Sequence, residues 1–181
     1  MRRRRRDPAL HFCVAADSLA TCIEPLSFGD AVAVAQCIAL DADAFPYPSS
    51  TLGLRESGAR RWVARDVRNP TGRCPVVAFL AGHVRGGILY IEGLTVEKTA
   101  RRRGVGRALV REAVHRARGE KIDAITLHVS VTNREAIGLY RSEGFAVRAR
   151  LQGFYRPAVY GDETDAYEME LRLSTRGSTD A

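Results

Sequence analysis

The chain has 181 residues, of which 45% are hydrophobic, and this is enough for one domain with a sizeable core but too little for two ordinary domains. Its formal net charge is +7, and the excess comes from two arginine clusters, at residues 2–6 and at residues 101–107. No stretch approaches the roughly 20 apolar residues that a membrane-spanning helix requires. The short apolar stretch at residues 9–16 is interrupted by His11 and lacks a clear cleavage site, so we expect a soluble, cytoplasmic protein without an export signal.

The four cysteines give no sign of a metal site. They form no Cys-x-x-Cys pair, and no histidine stands near them at the spacing of zinc ligands; they are Cys13, Cys22, Cys37 and Cys74. We therefore expect reduced structural thiols and no metal.

The arginine run at Arg2–Arg6 is typical of a solvated, disordered tail. The alternative is weak contact with a ribosome, RNA or a membrane surface, which a basic segment attracts. We place a disordered tail at residues 1–17, one domain at residues 18–174 and a polar tail at residues 175–181.

The predicted elements begin with a short strand at residues 21–26. Capping-type residues then precede an apolar-periodic helix at residues 31–44, which ends before Pro46 and Pro48 because proline cannot continue a helix. Three strands separated by an Asn-Pro-Thr-Gly turn and by Gly86-Gly87 should form an antiparallel meander, at residues 61–66, 75–84 and 88–96.

The second half alternates between helices and strands. Residues 104–118 form the clearest amphipathic helix, with Val105, Leu109 and Ala113 on one stripe. A second helix at residues 133–142 begins with an asparagine cap. The remaining strands are predicted at residues 122–129, 145–151 and 167–173. The order of elements indicates a mixed α/β sheet with helices on both faces.

The second arginine cluster lies between a strand and a helix. The first amides of that helix have no partner within the helix and point at one spot, which suits a phosphate group. Gly104 and Gly106 carry no side chains that would keep a pyrophosphate away from the backbone. A Lys-Ser/Thr ending of the Walker A type is absent, and a simple tight turn is the alternative explanation of the glycines.

Residues 96–109 resemble the Arg/Gln-x-x-Gly-x-Gly/Ala motif of the GNAT N-acetyltransferases, with Arg101, Gly104 and Gly106 at its fixed places. Asn133 to Tyr140, followed by Gly144-Phe145, resembles the second motif of that family. The resemblance covers about residues 20–173 and implies the GNAT fold, a mostly antiparallel central sheet with helices on both faces. It implies acetyl-CoA as cosubstrate and a binding site formed by Leu94, Thr95, Val96, Arg101, Arg102, Arg103, Gly104, Val105, Gly106, Arg107, Asn133 and Tyr140.

A closer resemblance is to the protein amino-terminal acetyltransferases, including the ribosomal-protein alanine acetyltransferases. Those enzymes carry an Ala-Phe-Pro-aromatic turn after the first helix, matched here by Phe45, Pro46 and Tyr47 after Ala44. They also place an aromatic pair in a hairpin loop over the substrate peptide, matched by Phe154 and Tyr155. The loop that follows at residues 156–162 is longer than that subfamily's pattern.

Acetyl transfer to an amine requires deprotonation of the ammonium, stabilisation of the tetrahedral oxyanion and protonation of the departing thiolate. Tyr140 lies one turn after Ala136 on the helix that lines the pantetheine arm in the family, so its phenol is the expected proton donor. The alternative is a packed helix tyrosine. A backbone amide at residues 94–96 would hold the oxyanion, as in the family, where this strand diverges from its neighbour.

The base has three candidates. Tyr90 and His128 resemble a tyrosine and a histidine that relay the proton through water in one branch of the family, and imidazole accepts protons readily near neutral pH. Glu92 stands two residues after Tyr90 and faces the same side of the strand unless a bulge intervenes. It would act as base, bind the substrate ammonium, or pair with an arginine such as Arg85 or Arg150.

The leading hypothesis is acetylation of the α-amino group of a protein or peptide, in a groove shaped by the aromatic residues of the two loops. The first rival is an acetyltransferase for small amines of the aminoglycoside or polyamine kind, with Glu92 as a cation ligand. The second rival is a CoA-binding module without catalysis. We expect a monomer or homodimer, and we expect surface or packing roles for His11, His83 and His115.

Overall fold

The computed structural model describes residues 12–16, 19–27, 29–44, 58–68, 74–157 and 162–173. The helices in this part are α1 (Ala31–Ala44), α2 (Val105–Gly119) and α3 (Arg134–Ser142), with one turn of 3-10 helix at Lys98–Ala100. The strands are β1 (Phe12–Ala16), β2 (Leu19–Pro25), β3 (Ala59–Asp66), β4 (Val76–Arg85), β5 (Ile88–Val96), β6 (Ala124–Ser130), β7 (Ala146–Leu151) and β8 (Ala166–Arg172).

The described strands form one sheet in the order β1-β2-β3-β4-β5-β6-β8-β7. Neighbouring strands are antiparallel except for the parallel pair of β5 and β6. A parallel pair needs a crossover connection, and α2 supplies it. The expected mixed, mostly antiparallel sheet is confirmed.

Two apolar clusters lie on opposite faces of the sheet, because successive residues of a strand point to opposite sides. On one face, α2 packs through Leu109 and Val110 against Leu80 of β4 and its neighbours. On the other face, Cys37 of α1 packs against Phe79 of β4. The helices therefore cover both faces, as expected. No helix of the described part is long and apolar enough to cross a membrane.

The Cys37 thiol is fully buried in the cluster beneath α1. Burial raises the pKa of this thiol to about 12, since the interior disfavours the thiolate. Only the thiolate is a strong nucleophile or metal ligand, so this thiol is inert. The expectation of a structural thiol agrees with that environment.

The predicted elements agree with the structure to within about two residues in most places, and the first strands are the exception. Strand β1 pairs along its length with β2, although residues 1–17 were expected to be tail. Strand β2 begins at Leu19, two residues before the predicted start. The Arg2–Arg6 run, the Asn-Pro-Thr-Gly turn and the aromatic turn at residues 45–47 lie outside the described residues.

Helix α3 begins as its sequence predicts. Asn133 is the cap, and its side-chain oxygen accepts a hydrogen bond from the amide of Ala136 at 3.1 Å. The helix ends before Gly144, whose φ of 91° favours glycine. The cap fixes the first turn of α3 next to the loop that precedes α2.

Candidate active site

Strand β5 contains a bulge at Glu92. Ile91 is opposite Gly82 and Gly93 is opposite Ala81, so Glu92 has no partner residue on β4. Before the bulge, Leu89 and Ile91 belong to the cluster beneath α2; after it, Leu94 and Val96 pack against that cluster. One extra residue thus reverses the alternation of the strand.

Strands β5 and β6 separate at the same level. Their parallel pairing runs from Ile88 opposite Ala124 to Ile91 opposite Leu127 and goes no further. The backbone groups of residues 93–96 that point towards β6 therefore have no strand to pair with. The expectation that this strand diverges from its neighbour agrees with the structure.

A pocket of about 640 Å³ begins at this separation and extends to the first turn of α2. Its walls come from the second half of β5, the loop before α2 and the first turns of α2 and α3. The residues predicted for the cofactor that line it are Leu94, Thr95, Val96, Arg101, Arg102, Gly104, Val105, Gly106, Arg107 and Asn133. Arg103 and Tyr140 are not among its lining residues.

The first turn of α2 offers free amides to this pocket. Gly104 is the cap and supplies no side-chain hydrogen bond, and the first helical bond is donated by the amide of Ala108 to the Gly104 carbonyl. The amides of residues 105–107 therefore have no acceptor within the helix. Such a helix start binds anionic oxygens through N–H groups and the helix dipole.

Different features of the structure account for the glycines at positions 104 and 106. Gly104 has a φ of 80°, a left-handed conformation that side chains disfavour, although a Cβ there would meet nothing within 4 Å. Gly106 has no such φ, and a Cβ there would lie 3.4 Å from a Val96 methyl. The sequence left open whether these glycines allow close approach of a ligand or form a tight turn. The φ of Gly104 is one that a turn requires, whereas the backbone conformation does not require glycine at position 106.

The loop arginines make exposed contacts that a ligand can replace. Arg101 donates from Nε to the Val96 carbonyl at 3.0 Å and so fastens the loop to β5. Arg102 pairs with Glu135 at 3.0 Å, with both side chains at least 70% exposed. Arg107 pairs with Glu143 at 3.1 Å. The exposed pair of Arg102 contributes little stability, so this arginine can turn to a phosphate, whereas the Glu143 partner of Arg107 is only 9% exposed.

Thr95 lines the pocket, but its hydroxyl is turned away from the pocket side of Leu94 and Val96. Its register partner is Phe79 of the cluster beneath α1, and the hydroxyl is buried without a hydrogen-bond partner among the described residues. The part of Thr95 that a ligand between β5 and β6 can reach is therefore its backbone.

The sheet face opposite α2 carries several polar side chains next to the separation of β5 and β6. The pairing places His83 opposite Tyr90 and Tyr90 beside Thr126, while Leu89 and Leu127 belong to the cluster beneath α2. Alternation then puts the following residues on the same face, which we call the polar face: His83, Tyr90, Glu92, Thr126 and His128.

On the polar face, Glu92 pairs with His83 and not with an arginine. His83 Nδ1 lies 2.5 Å from Glu92 Oε1, and the His83 ring stacks on the Tyr90 ring with centroids 5.3 Å apart. Arg150, one of the two expected partners of Glu92, bonds instead to Asp165 at 2.8 Å. His83, for which a surface or packing role was expected, thus contacts two of the predicted site residues.

His128 lies beneath the hairpin loop between β7 and β8. Its ring is 4.5 Å from the ring of Phe154, and Phe154 meets Tyr155 edge to face at 5.0 Å. Phe154 is 43% exposed, which is unusual for a large apolar side chain and leaves its ring available to a ligand. The predicted aromatic pair thus lies over one candidate base.

Tyr140 is buried, and its ring packs against Phe145 at 5.6 Å. Burial raises the pKa of its phenol, and the nearby Tyr155 raises it further. The phenol therefore keeps its proton at neutral pH, as a proton donor must. Both the donor role and the packing role remain compatible with this position.

The structure brings ten of the twelve predicted cofactor residues together around one pocket, all except Arg103 and Tyr140, and it brings the base candidates together on one face. Phe45, Pro46 and Tyr47 lie outside the described residues. Within the described ranges, no group of three or more His, Cys, Asp or Glu side chains is arranged to hold a metal ion.

Comparison with known proteins gives a family match. A model of the acetyltransferase (GNAT) family matches residues 34–145. N-alpha-acetyltransferase 30 of Saccharomyces cerevisiae is 34% identical over 90 residues, which are 50% of this chain and 48% of that protein. Aminoglycoside N(6')-acetyltransferase type 1 of Klebsiella aerogenes is 35% identical over 72 residues, 40% of this chain and 47% of that protein. The matches thus span about half the length of these curated relatives.

Two solved structures resemble this one along most of their length. The ribosomal-protein-S18-alanine N-acetyltransferase from Escherichia coli has a TM-score of 0.74 at 21% identity and covers 89% of this chain and 99% of its own. Arabidopsis thaliana NAA60 in complex with acetyl-CoA has a TM-score of 0.73 at 26% identity and covers 85% and 99%. The fold that the motifs implied is therefore confirmed.

The loop over His128 depends on one carboxylate. Asp165 accepts from the Gly153 amide at 3.0 Å and from Arg150 at 2.8 Å. The Gly153 amide, and then Arg150, hold the pKa of Asp165 below its ordinary value of 3.8. A lowered pKa means that this carboxylate stabilises the folded loop above pH 3.8, and that the contribution is lost as the pH falls through the lowered value.

We therefore predict that an NMR titration of the Asp165 carboxyl carbon has its midpoint below 3.8, and that the Gly153 amide shift follows it. Arg150→Gln should move the midpoint upwards, since it removes one of the two partners. A midpoint at or above 3.8 in the unmodified protein would contradict the role of Asp165 in closing the loop.

Proposed function

Because the chain belongs to the acetyltransferase (GNAT) family, we propose that it transfers the acetyl group of acetyl-CoA to an amine, and that this amine is the α-amino group of a protein or peptide. The observation that carries the proposal is the position of the polar face. It lies next to the separation of β5 and β6, where the cofactor pocket begins, and beneath the exposed aromatic pair of the hairpin loop.

Acetyl-CoA fits the pocket by the chemistry of its walls. The free amides at the start of α2 suit the pyrophosphate, and the loop arginines suit the negative charge. The free backbone edge of β5 suits the amide-rich pantetheine arm. The arm would then run between β5 and β6, and the thioester would reach the bulge at Glu92.

In the proposed reaction the amine nitrogen attacks the thioester carbonyl, a carbon–nitrogen bond forms and the carbon–sulfur bond breaks. A backbone amide on the free edge of residues 94–96 would hold the developing oxyanion. Tyr140 would give a proton to the departing sulfur. The proton of the ammonium would pass to Tyr90 and His128 through water, with Glu92 as the alternative acceptor.

A peptide acceptor is supported by the shape of the entrance. Phe154 and Tyr155 provide a broad aromatic surface over His128, which suits an extended chain. The yeast relative is named for α-amino acetylation, in agreement with this choice. The aminoglycoside-acetylating relative and the Glu92 carboxylate favour a small cationic amine as the second candidate.

The substrate test is a panel of acceptors with acetyl-CoA in excess. We predict that peptides with free amino termini are acetylated with kcat/KM at least about tenfold above that of aminoglycosides and polyamines, because only peptides reach the aromatic surface. The same peptides with blocked amino termini and an internal lysine should be inert. Acetylation restricted to free amines or to lysine side chains would contradict the peptide proposal.

The catalytic roles predict a loss of turnover without a loss of cofactor. His128→Gln and Tyr140→Phe should each lower kcat by a factor of about 100 or more, the usual contribution of a general base or acid. Acetyl-CoA affinity, measured by calorimetry, should change less than about twofold. His115→Gln, an exposed histidine on α2, is the matched control and should leave both unchanged. Full turnover in either site variant would remove that residue from the chemistry.

The pocket predicts different effects of two similar substitutions. Gly104→Ala places a side chain in the left-handed region at a cost of about 1–2 kcal/mol, and we expect the free loop to relieve this strain by leaving the conformation that presents its amides. Binding of acetyl-CoA must then restore that conformation, so the affinity should fall about tenfold. Gly106→Ala requires no such conformation and should change the affinity less than about threefold. Equal effects in calorimetry, or none from Gly104→Ala, would contradict this description of the loop.

A further inference from the structure

We propose that His83 is a positioning residue of the acceptor site, and that it holds the Glu92 carboxylate in place to receive the ammonium group of the acceptor. The inference rests on the proposed acetyl transfer to an amine. It assigns the ammonium-binding role to Glu92 among the roles that the sequence left open, and it gives His83 a function.

Two contacts fix the His83 ring. Its Nδ1 atom lies 2.5 Å from Glu92 Oε1, and the ring lies at 18° to the Tyr90 ring with centroids 5.3 Å apart. The hydrogen bond fixes one nitrogen as the donor, and the stacking fixes the plane of the ring. Glu92 and Tyr90 are thereby linked through one side chain on the neighbouring strand.

The position of Glu92 in the strand explains why its side chain requires a partner that restrains it. It is the extra residue of the bulge, so no residue of β4 lies directly opposite it. Its side chain is 29% exposed, and a free glutamate samples many rotamers, whose restriction costs entropy when a ligand binds. A carboxylate that is already held binds an ammonium more favourably than a mobile one.

The kind of side chain that restrains Glu92 determines how much negative charge remains available to the acceptor. Among the described residues His83 is the one hydrogen-bond and ion-pair partner of Glu92, and the second carboxylate oxygen has none. An arginine in this place would be permanently charged and would compete with the ammonium. A neutral imidazole can donate from Nδ1 and leave the negative charge of Glu92 available to the acceptor.

His83 acts through Glu92 and not on the acceptor. It lies on β4, one strand further than Glu92 from the separation of β5 and β6. The pair is about one-third exposed, with side-chain exposures of 34% and 29%, so it contributes little to folding stability. Its removal should therefore appear in acceptor binding and not in unfolding.

The experiment compares two variants that each keep one of the two contacts. His83→Phe keeps a ring over Tyr90 but has no donor, whereas His83→Asn keeps an N–H donor near the Nδ1 position but has no ring. Steady-state kinetics use the best peptide of the acceptor panel. His83→Phe should raise the KM for the peptide about tenfold, with kcat within about threefold and the KM for acetyl-CoA unchanged.

His83→Asn should recover most of the peptide KM. In a Glu92→Gln background, His83→Phe should have no further effect on KM, because the two residues act as a unit. An unchanged KM in His83→Phe, or equal losses of kcat in both variants without a change in KM, would overturn the positioning role. If the unmodified protein acetylates no amine at all, the proposed function fails, and the inference fails with it.

A second measurement needs no variant at position 83. In 15N-histidine NMR of the intact protein, the Nδ1 resonance of His83 should show a proton bound at that nitrogen and should shift on Glu92→Gln. Identical His83 ring resonances in the two proteins would overturn the pairing itself, whatever the activity on amines.

Discussion

Strand β5 carries one residue more than its partner β4, and its pairing with β6 ends one residue before that point. The bulge at Glu92 and the separation of the two strands are one structural event. After it, β5 shows the opposite alternation and has a free edge towards β6. The pocket, the proposed oxyanion donors and the polar face all depend on this event, because each of them uses backbone or side chains within four residues of Glu92.

The two ends of the proposed site suit ligand groups of opposite charge. At the start of α2, free amides and the exposed Arg102 side chain suit an anion, although the pair of Arg102 with Glu135 adds little stability. On the polar face, Glu92 is paired with a histidine, so negative charge is available for a cation. The bulge lies between these two environments, where an acetyl group would pass from an anionic donor to a cationic acceptor.

Much of this arrangement could be read from the sequence. Helix α1 and strand β5 have the predicted bounds, since proline stops the helix and the Gly86-Gly87 turn starts the strand. The Gly-x-Gly loop was found because its motif is local. The contact of His83 with Glu92 could not be found, because it depends on the register of β4 and β5 and on a bulge that no residue pattern specifies. Strand β1 was not predicted, because the arginine run at residues 2–6 is typical of a tail and residues 1–17 were assigned to it as a whole.

The most direct test is a crystal structure with a bisubstrate analogue, in which CoA is joined through an acetyl group to the amino terminus of a peptide. The account predicts that the pyrophosphate contacts the amides of residues 105–107 and that the acetyl group lies at the separation of β5 and β6. The first peptide residue should lie on the polar face, with its nitrogen beside Glu92. A peptide that lies on the α2 side of the sheet, or an acetyl group away from Glu92, would contradict the account.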